Sequence, residues 1–169
     1  MAVLGSGVLM ALALPGVPAA AAPAYVSLQV TNIQNYYTGL CILAPSTGSE
    51  IALVQAQCAG YADQKWEWQT TLSNHGISTT FRNSNSGYCL LARGQQEARQ
   101  IPCDVAGQDA QWYEDIIDSG DPQWERIWNR ATGKCLVPDR GGLNGLIVQA
   151  DCDFGRNPPL DQRWRLKNV

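Results

Sequence analysis

Hydrophobic and polar residues alternate in short runs along most of this chain, and the runs come in pairs. Trp68 to Leu72 and Ile77 to Phe81 flank Ser-Asn-His-Gly, while Tyr113 to Ile117 and Trp124 to Trp128 flank Asp-Ser-Gly-Asp-Pro. Period-two runs bounded by turn residues predict hairpins. Strand-forming residues dominate, and beyond the first apolar segment no long run keeps helical spacing, so an all-β fold is expected.

One phrase occurs three times: apolar-x-Asn-x-x-x-Gly-x-Cys, followed by two apolar residues, at Ile33-Asn35-Gly39-Cys41, Phe81-Asn83-Gly87-Cys89 and Ile127-Asn129-Gly133-Cys135. A second cysteine follows each copy, at Cys58, Cys103 and Cys152, and then Asp-x-x-Trp at Asp63-Trp66, Asp109-Trp112 and Asp161-Trp164. Recurrence every roughly 45 to 50 residues marks a repeat architecture. Each part has a physical task. The apolar residue ends a strand, the Asn side chain closes its own turn, and the Gly takes a backbone angle that other residues avoid.

These residues resemble the ricin-type (R-type) lectin β-trefoil family, whose unit carries a Cys-Leu near its start, a second cysteine and a Gln-x-Trp near its end. Gln64-x-Trp66 and Gln162-x-Trp164 match, and the middle copy departs with Ala110 before Trp112. The resemblance implies a disulfide-stabilised β-trefoil over residues 25–169: a six-stranded barrel closed at one end by three hairpins, with repeats at about 28–72, 77–121 and 124–169.

Residues 1–24 are apolar to Leu14 and end in a Pro-Gly-Val-Pro and alanine run, which reads as a secretory signal peptide cleaved near Ala21 to Ala24. No charged residue precedes Glu50, so the usual basic start is missing and a true start upstream of Met1 is expected. Export makes the protein extracellular and puts its 6 cysteines in an oxidising compartment, one pair per repeat. The repeat favours Cys41–Cys58, Cys89–Cys103 and Cys135–Cys152. No Cys-x-x-Cys or paired His accompanies them, so neither metal nor cofactor is expected. With net charge −3 and scattered basic residues, nucleic acid is not an expected partner, nor is membrane insertion after signal cleavage.

Trp66, Trp112 and Trp164 recur at one repeat position and read as core, with Trp68 on the same strand face. Trp128 stands where the other copies have Gln34 and Arg82. Tyr36 and Tyr37 stand where they have Ser84-Asn85 and Arg130-Ala131, so these three rings are candidates for exposure. No catalytic residue is expected. His75 sits alone at a hairpin tip, and Glu114, Asp115, Asp118 and Asp121 cluster about a turn, where acidic residues read as hydrated surface.

What the resemblance implies is sugar recognition, by an Asp two residues after the first cysteine, a ring two before the second, and the Asn/Asp-Gln pair before the Trp. Here Leu43, Leu91 and Val137 replace the Asp, and Ala56, Ile101 and Ala150 replace the ring. The third repeat is the best remaining candidate, with Asp139, Asn144, Gln149, Asp161 and Gln162. The expected partner is a glycan at an atypical site, or alternatively a secreted or cell-surface protein, with the trefoil acting as an inhibitor or as a subunit of a toxin or other assembly.

Overall fold

A computed structural model describes residues 26–73, 76–94, 97–118 and 123–169. The expected signal segment lies outside the described residues, as do His75 and Asp121. In chain order the strands are β1 (Val26–Asn35), β2 (Cys41–Leu43), β3 (Ile51–Ala52), β4 (Val54–Ala56), β5 (Trp66–Ser73), β6 (Gly76–Asn83) and β7 (Tyr88–Leu91). They continue as β8 (Arg99–Pro102), β9 (Trp112–Asp118), β10 (Trp124–Asn129), β11 (Cys135–Pro138), β12 (Ile147–Ala150) and β13 (Trp164–Asn168). The helices among the described residues are single 3-10 turns at Ala62–Gln64, Gln108–Ala110 and Leu160–Gln162, each carrying the Asp of an Asp-x-x-Trp.

Strands β1, β5, β6, β9, β10 and β13 pair antiparallel in that order, and β13 pairs back to β1, closing a barrel. Hairpins β2–β4, β7–β8 and β11–β12 cover one end. Closure removes the exposed sheet edges that short strands would otherwise present. The hairpin tier is sewn together at its centre by three backbone bonds in a ring. Leu53 N–H donates to the Ala98 carbonyl (2.9 Å), Ala98 to Ile147 (2.8 Å) and Ile147 to Leu53 (2.9 Å). All three residues are fully buried, so the ring shuts the approximate three-fold axis.

The repeated residues explain how each unit turns from barrel to hairpin. Gly39, Gly87 and Gly133 have φ of +67°, +73° and +69°, the left-handed region a turn needs there. Trp66, Trp112 and Trp164 are wholly buried and pair across the ladder with Asn83, Asn129 and Asn35. Their indole N–H groups donate to the carbonyls of Ile42 (3.2 Å), Leu90 (3.0 Å) and Leu136 (2.7 Å), binding the barrel to the hairpin that covers it. Cys41–Cys58, Cys89–Cys103 and Cys135–Cys152 form the local disulfides, each closing a loop in its own repeat. On the chain-entropy estimate each contributes about 3 kcal/mol.

The next barrel layer contains an exception. Its residues pair as Trp68 with Phe81, Leu166 with Ile33 and Glu114 with Ile127, and paired residues share a face. Glu114 therefore occupies the inward position that is Trp68 and Leu166 in the other repeats. This corrects its reading as hydrated surface. Glu125, opposite Ile116, points inward one layer further out. Trp68 is half-buried and packs against the core.

Candidate functional site

The seams between repeats are built from two recurring amides. Asn35 accepts from the backbone N–H of Tyr37 (3.1 Å) and Thr38 (3.2 Å) and donates to the Asp161 carbonyl of the last repeat (2.8 Å). Asn83 and Asn129 hold their turns likewise and donate to Asp63 and Asp109. The second amide is Gln55, Gln100 or Gln149, buried in every case. Its oxygen accepts from the hydroxyl of Thr38, Ser86 or Thr132, respectively. The Gln55 amide N–H donates back to Arg140 (2.8 Å), and that of Gln100 to Ser46 and Gly48 (2.7 Å each).

Two of the five candidate sugar ligands belong to this internal frame. Gln149 faces inward to Thr132, in the same place as Gln55 and Gln100. Gln162 is buried, accepting from Asp153 N–H (2.9 Å) and donating to the Asp151 carbonyl (3.0 Å), as Gln64 does with Ala59 and Gln57. The other three lie at the surface of the seam between the third repeat and the first. Asp139 and Asn144 are exposed, and Asp161 is half-buried with Oδ1 lacking a hydrogen-bond partner.

The loop carrying Asp139 and Asn144 is fixed at several points. Asp139 N–H donates to Leu146 (2.8 Å), and its carboxylate meets Arg140 at 3.2 Å. Asn144 has φ +61°, and its N–H donates to Gln55 (2.9 Å), whose own N–H donates to Gly145 (2.8 Å). A Cβ at Gly145 would stand 2.9 Å from both the Arg140 carbonyl and the Gln55 amide nitrogen, so only glycine fits. Across the seam Tyr37 is 62% exposed. Tyr37, Thr38, Leu40, Gly141 and Gly142 line an open cleft of about 340 Å³. At the seam between the second and third repeats the corresponding cleft, about 500 Å³, contains the Arg93–Asp109 pair at 2.6 Å.

The remaining rings form a second surface on the outside of β9 and β10. Trp128 is half-buried, stacked on Tyr113 at 4.3 Å and edged by Phe154 at 5.9 Å, with its N–H on Asp115 (3.0 Å). Arg126 lies 4.4 Å over Phe154 and binds Asp115 and the Asp153 carbonyl. Tyr36 is 44% exposed and meets Trp124 edge-on at 4.7 Å. Phe154, 59% exposed, escaped the sequence reading because its loop has no periodicity. Trp124 and Arg126 were legible in principle, since they alternate with Trp128 on one face.

Inside the barrel, burial pushes the Glu114 carboxyl up to about 7, opposed by a hydrogen bond with Thr79 and reinforced by Glu125. Burial also raises Glu125. One oxygen of each carboxylate and the Trp68 indole nitrogen are buried without a hydrogen-bond partner.

Residues 62–150 match the model of the ricin-type β-trefoil lectin domain-like family. The chain belongs to that family. Solved trefoils agree in fold. A designed three-fold symmetric protein, ThreeFoil, superposes with TM-score 0.69 at 19% identity over 83% of this chain and 99% of its own. A mosquitocidal holotoxin gives 0.70 at 12% identity over 85% of this chain, and the exo-β-1,3-galactanase 1,3Gal43A from Clostridium thermocellum gives 0.69 at 21% over 83%. This chain covers only 18% of the holotoxin chain and 30% of the galactanase chain. No curated protein matches the sequence.

Proposed function

We propose that this ricin-type domain is a carbohydrate-binding module of an exported protein, acting by recognition and not by catalysis, with its site in the third repeat. The observation that carries this reading is the loop fixed at the seam of the third and first repeats, whose Gly141 and Gly142 line an open cleft and whose exposed Asp139 and Asn144 flank those glycines in sequence. A carboxylate accepts hydrogen bonds from neighbouring sugar hydroxyls, and an amide both donates and accepts. Three disulfides support an oxidising destination. The galactanase offers a precedent for a trefoil within a larger carbohydrate-active chain. A glycan array on the exported protein tests the reading, and silence across neutral and acidic glycans alike would reject it.

A second reading is supported by a different observation. The exposed Phe154, held over the buried Arg126 and beside Trp128 and Tyr113, offers an aromatic cluster of the kind enriched in protein-binding hot spots. On that reading the domain docks a protein partner, as a subunit of an assembly such as the holotoxin. Phe154→Ala with unchanged glycan binding and lost capture of a partner would favour it.

A further inference from the structure

Resting on the carbohydrate reading, we infer that the third-repeat site takes its stacking ring from the first repeat: Tyr37 is the platform on which the C–H face of a terminal neutral pyranose sits, while Asp139 receives its hydroxyls. Within the third repeat itself the position for a ring is Ala150, half-buried and paired with Cys135 in the sheet. No side chain there offers an aromatic face. Tyr37 does, from across the seam.

Three observations fix Tyr37 in that place. Its turn is held from behind by Asn35, whose amide bonds Tyr37 and Thr38 on one side and the Asp161 carbonyl on the other. Its neighbour Thr38 donates to Gln55 (2.7 Å), which donates to Arg140, so ring and loop hang from one amide. The third is a close approach. A Cβ built on Gly141 would stand 3.1 Å from the Tyr37 ring, so glycine lets backbone and ring touch while most of the ring stays open. Gly141 is two residues from Asp139, hence within about 7 Å of it along the chain. Tyr37 thus lines the cleft with Gly141 and Gly142, and the exposed Asp139 lies two residues from that lining along the chain.

Among the described residues, the other two seams lack this combination. The position of Tyr37 is Asn85 in the second repeat and Ala131 in the third, neither of which offers a ring. The cleft beside Ala131 also contains the Arg93–Asp109 pair, with Arg93, and not a carboxylate, at the position that is Asp139 in the third repeat. A cleft of about 340 Å³ lies at the small end of the roughly 300–1,000 Å³ typical of ligand sites, which favours a chain end over a long internal segment. The exposed Arg140 partly offsets Asp139, and a neutral sugar avoids repulsion from that carboxylate.

The test uses the full exported protein and saturation-transfer NMR with methyl glycosides of glucose, galactose, mannose and N-acetylglucosamine as probes. For whichever probe binds, Tyr37→Ala should weaken affinity about tenfold, with Tyr37→Phe and Tyr36→Ala within about twofold of the parent. Saturation should concentrate on one C–H face of the sugar. Gly141→Ala, which crowds the ring, should weaken binding severalfold. All four variants should melt within about 2 °C of the parent, because the changed side chains are outside the core. Binding that ignores Tyr37→Ala, or falls equally with Tyr36→Ala, would overturn this assignment and leave the carbohydrate reading standing. A parent protein that binds no probe, here or on the glycan array, would defeat both.

Discussion

Asn35 donates its side-chain N–H to the backbone carbonyl of Asp161 at 2.8 Å, joining the first turn of the fold to the last. The same amide accepts two backbone N–H groups from its own turn, so one buried side chain serves the strand end, the turn and the seam.

Asn35→Ala should therefore destabilise the domain by roughly 2–4 kcal/mol, because buried donors and acceptors lose partners together. Asn83→Ala and Asn129→Ala should behave alike, since each makes the matching bonds. Denaturant melts of the three variants check this, and a loss below about 1 kcal/mol would mean that the turns hold themselves.

Glu114 makes stability depend on pH in an unusual direction. Its folded carboxyl titrates near 7 against 4.5 for the free group, so the folded state keeps a proton that the unfolded state has released. Between about pH 4.5 and 7 the unfolded chain binds fewer protons, and stability falls with rising pH by about 3 kcal/mol from this group. Glu125 acts in the same sense. By strand register, no Lys or Arg among the described residues points into the barrel to compensate, since Arg82, Arg126, Arg165 and Lys167 all lie on the outward face. Glu114→Leu, matching Leu166, should raise stability at pH 8 and flatten the profile. Urea midpoints at pH 5 and pH 8 for both proteins measure it.

The three core tryptophans allow a comparison with a fourth. Trp66→Ala, Trp112→Ala and Trp164→Ala should each cost about 3–5 kcal/mol, since each empties a fully buried volume and orphans a carbonyl. Trp128→Ala should cost clearly less, because its ring is half-buried on the outer face. Equal losses at Trp112 and Trp128 would show that the aromatic cluster on β9 and β10 is itself part of the folding core.

Much of the fold was legible because the repeat states it three times. The Asn, Gly, Cys and Trp positions each have a local task, and local tasks leave local patterns. Glu114 shows the limit. Its parity with Trp112 and its equivalence to Trp68 and Leu166 pointed inward, but four acidic residues about a turn pointed outward, and the barrel register decided. The division of the sugar candidates was harder still. Gln149 and Asp139 are ten residues apart, yet one faces Thr132 in the interior and the other solvent, a difference set by which strand pairs with which. Tyr37 and Gly141 touch across a seam between the first and last repeats, where no spacing rule reaches.

That division gives the last prediction its form. Gln162→Ala removes two bonds that brace the Asp151–Asp153 loop, so it should lower stability by roughly 1–3 kcal/mol whether or not a sugar is present. Asp139→Asn changes only an exposed carboxylate, so the melting temperature should hold while glycan affinity falls roughly tenfold or more, the worth of a charged hydrogen bond. Galactose itself should bind weakly at every repeat, because Leu43, Leu91 and Val137 stand where a carboxylate would grip its hydroxyls, and Leu91 and Val137 are buried. Calorimetry and melts on the same two variants separate the roles. Binding lost with Gln162→Ala at unchanged stability, or glycan affinity indifferent to Asp139→Asn, would move the site away from the third seam and toward the aromatic face of β9 and β10.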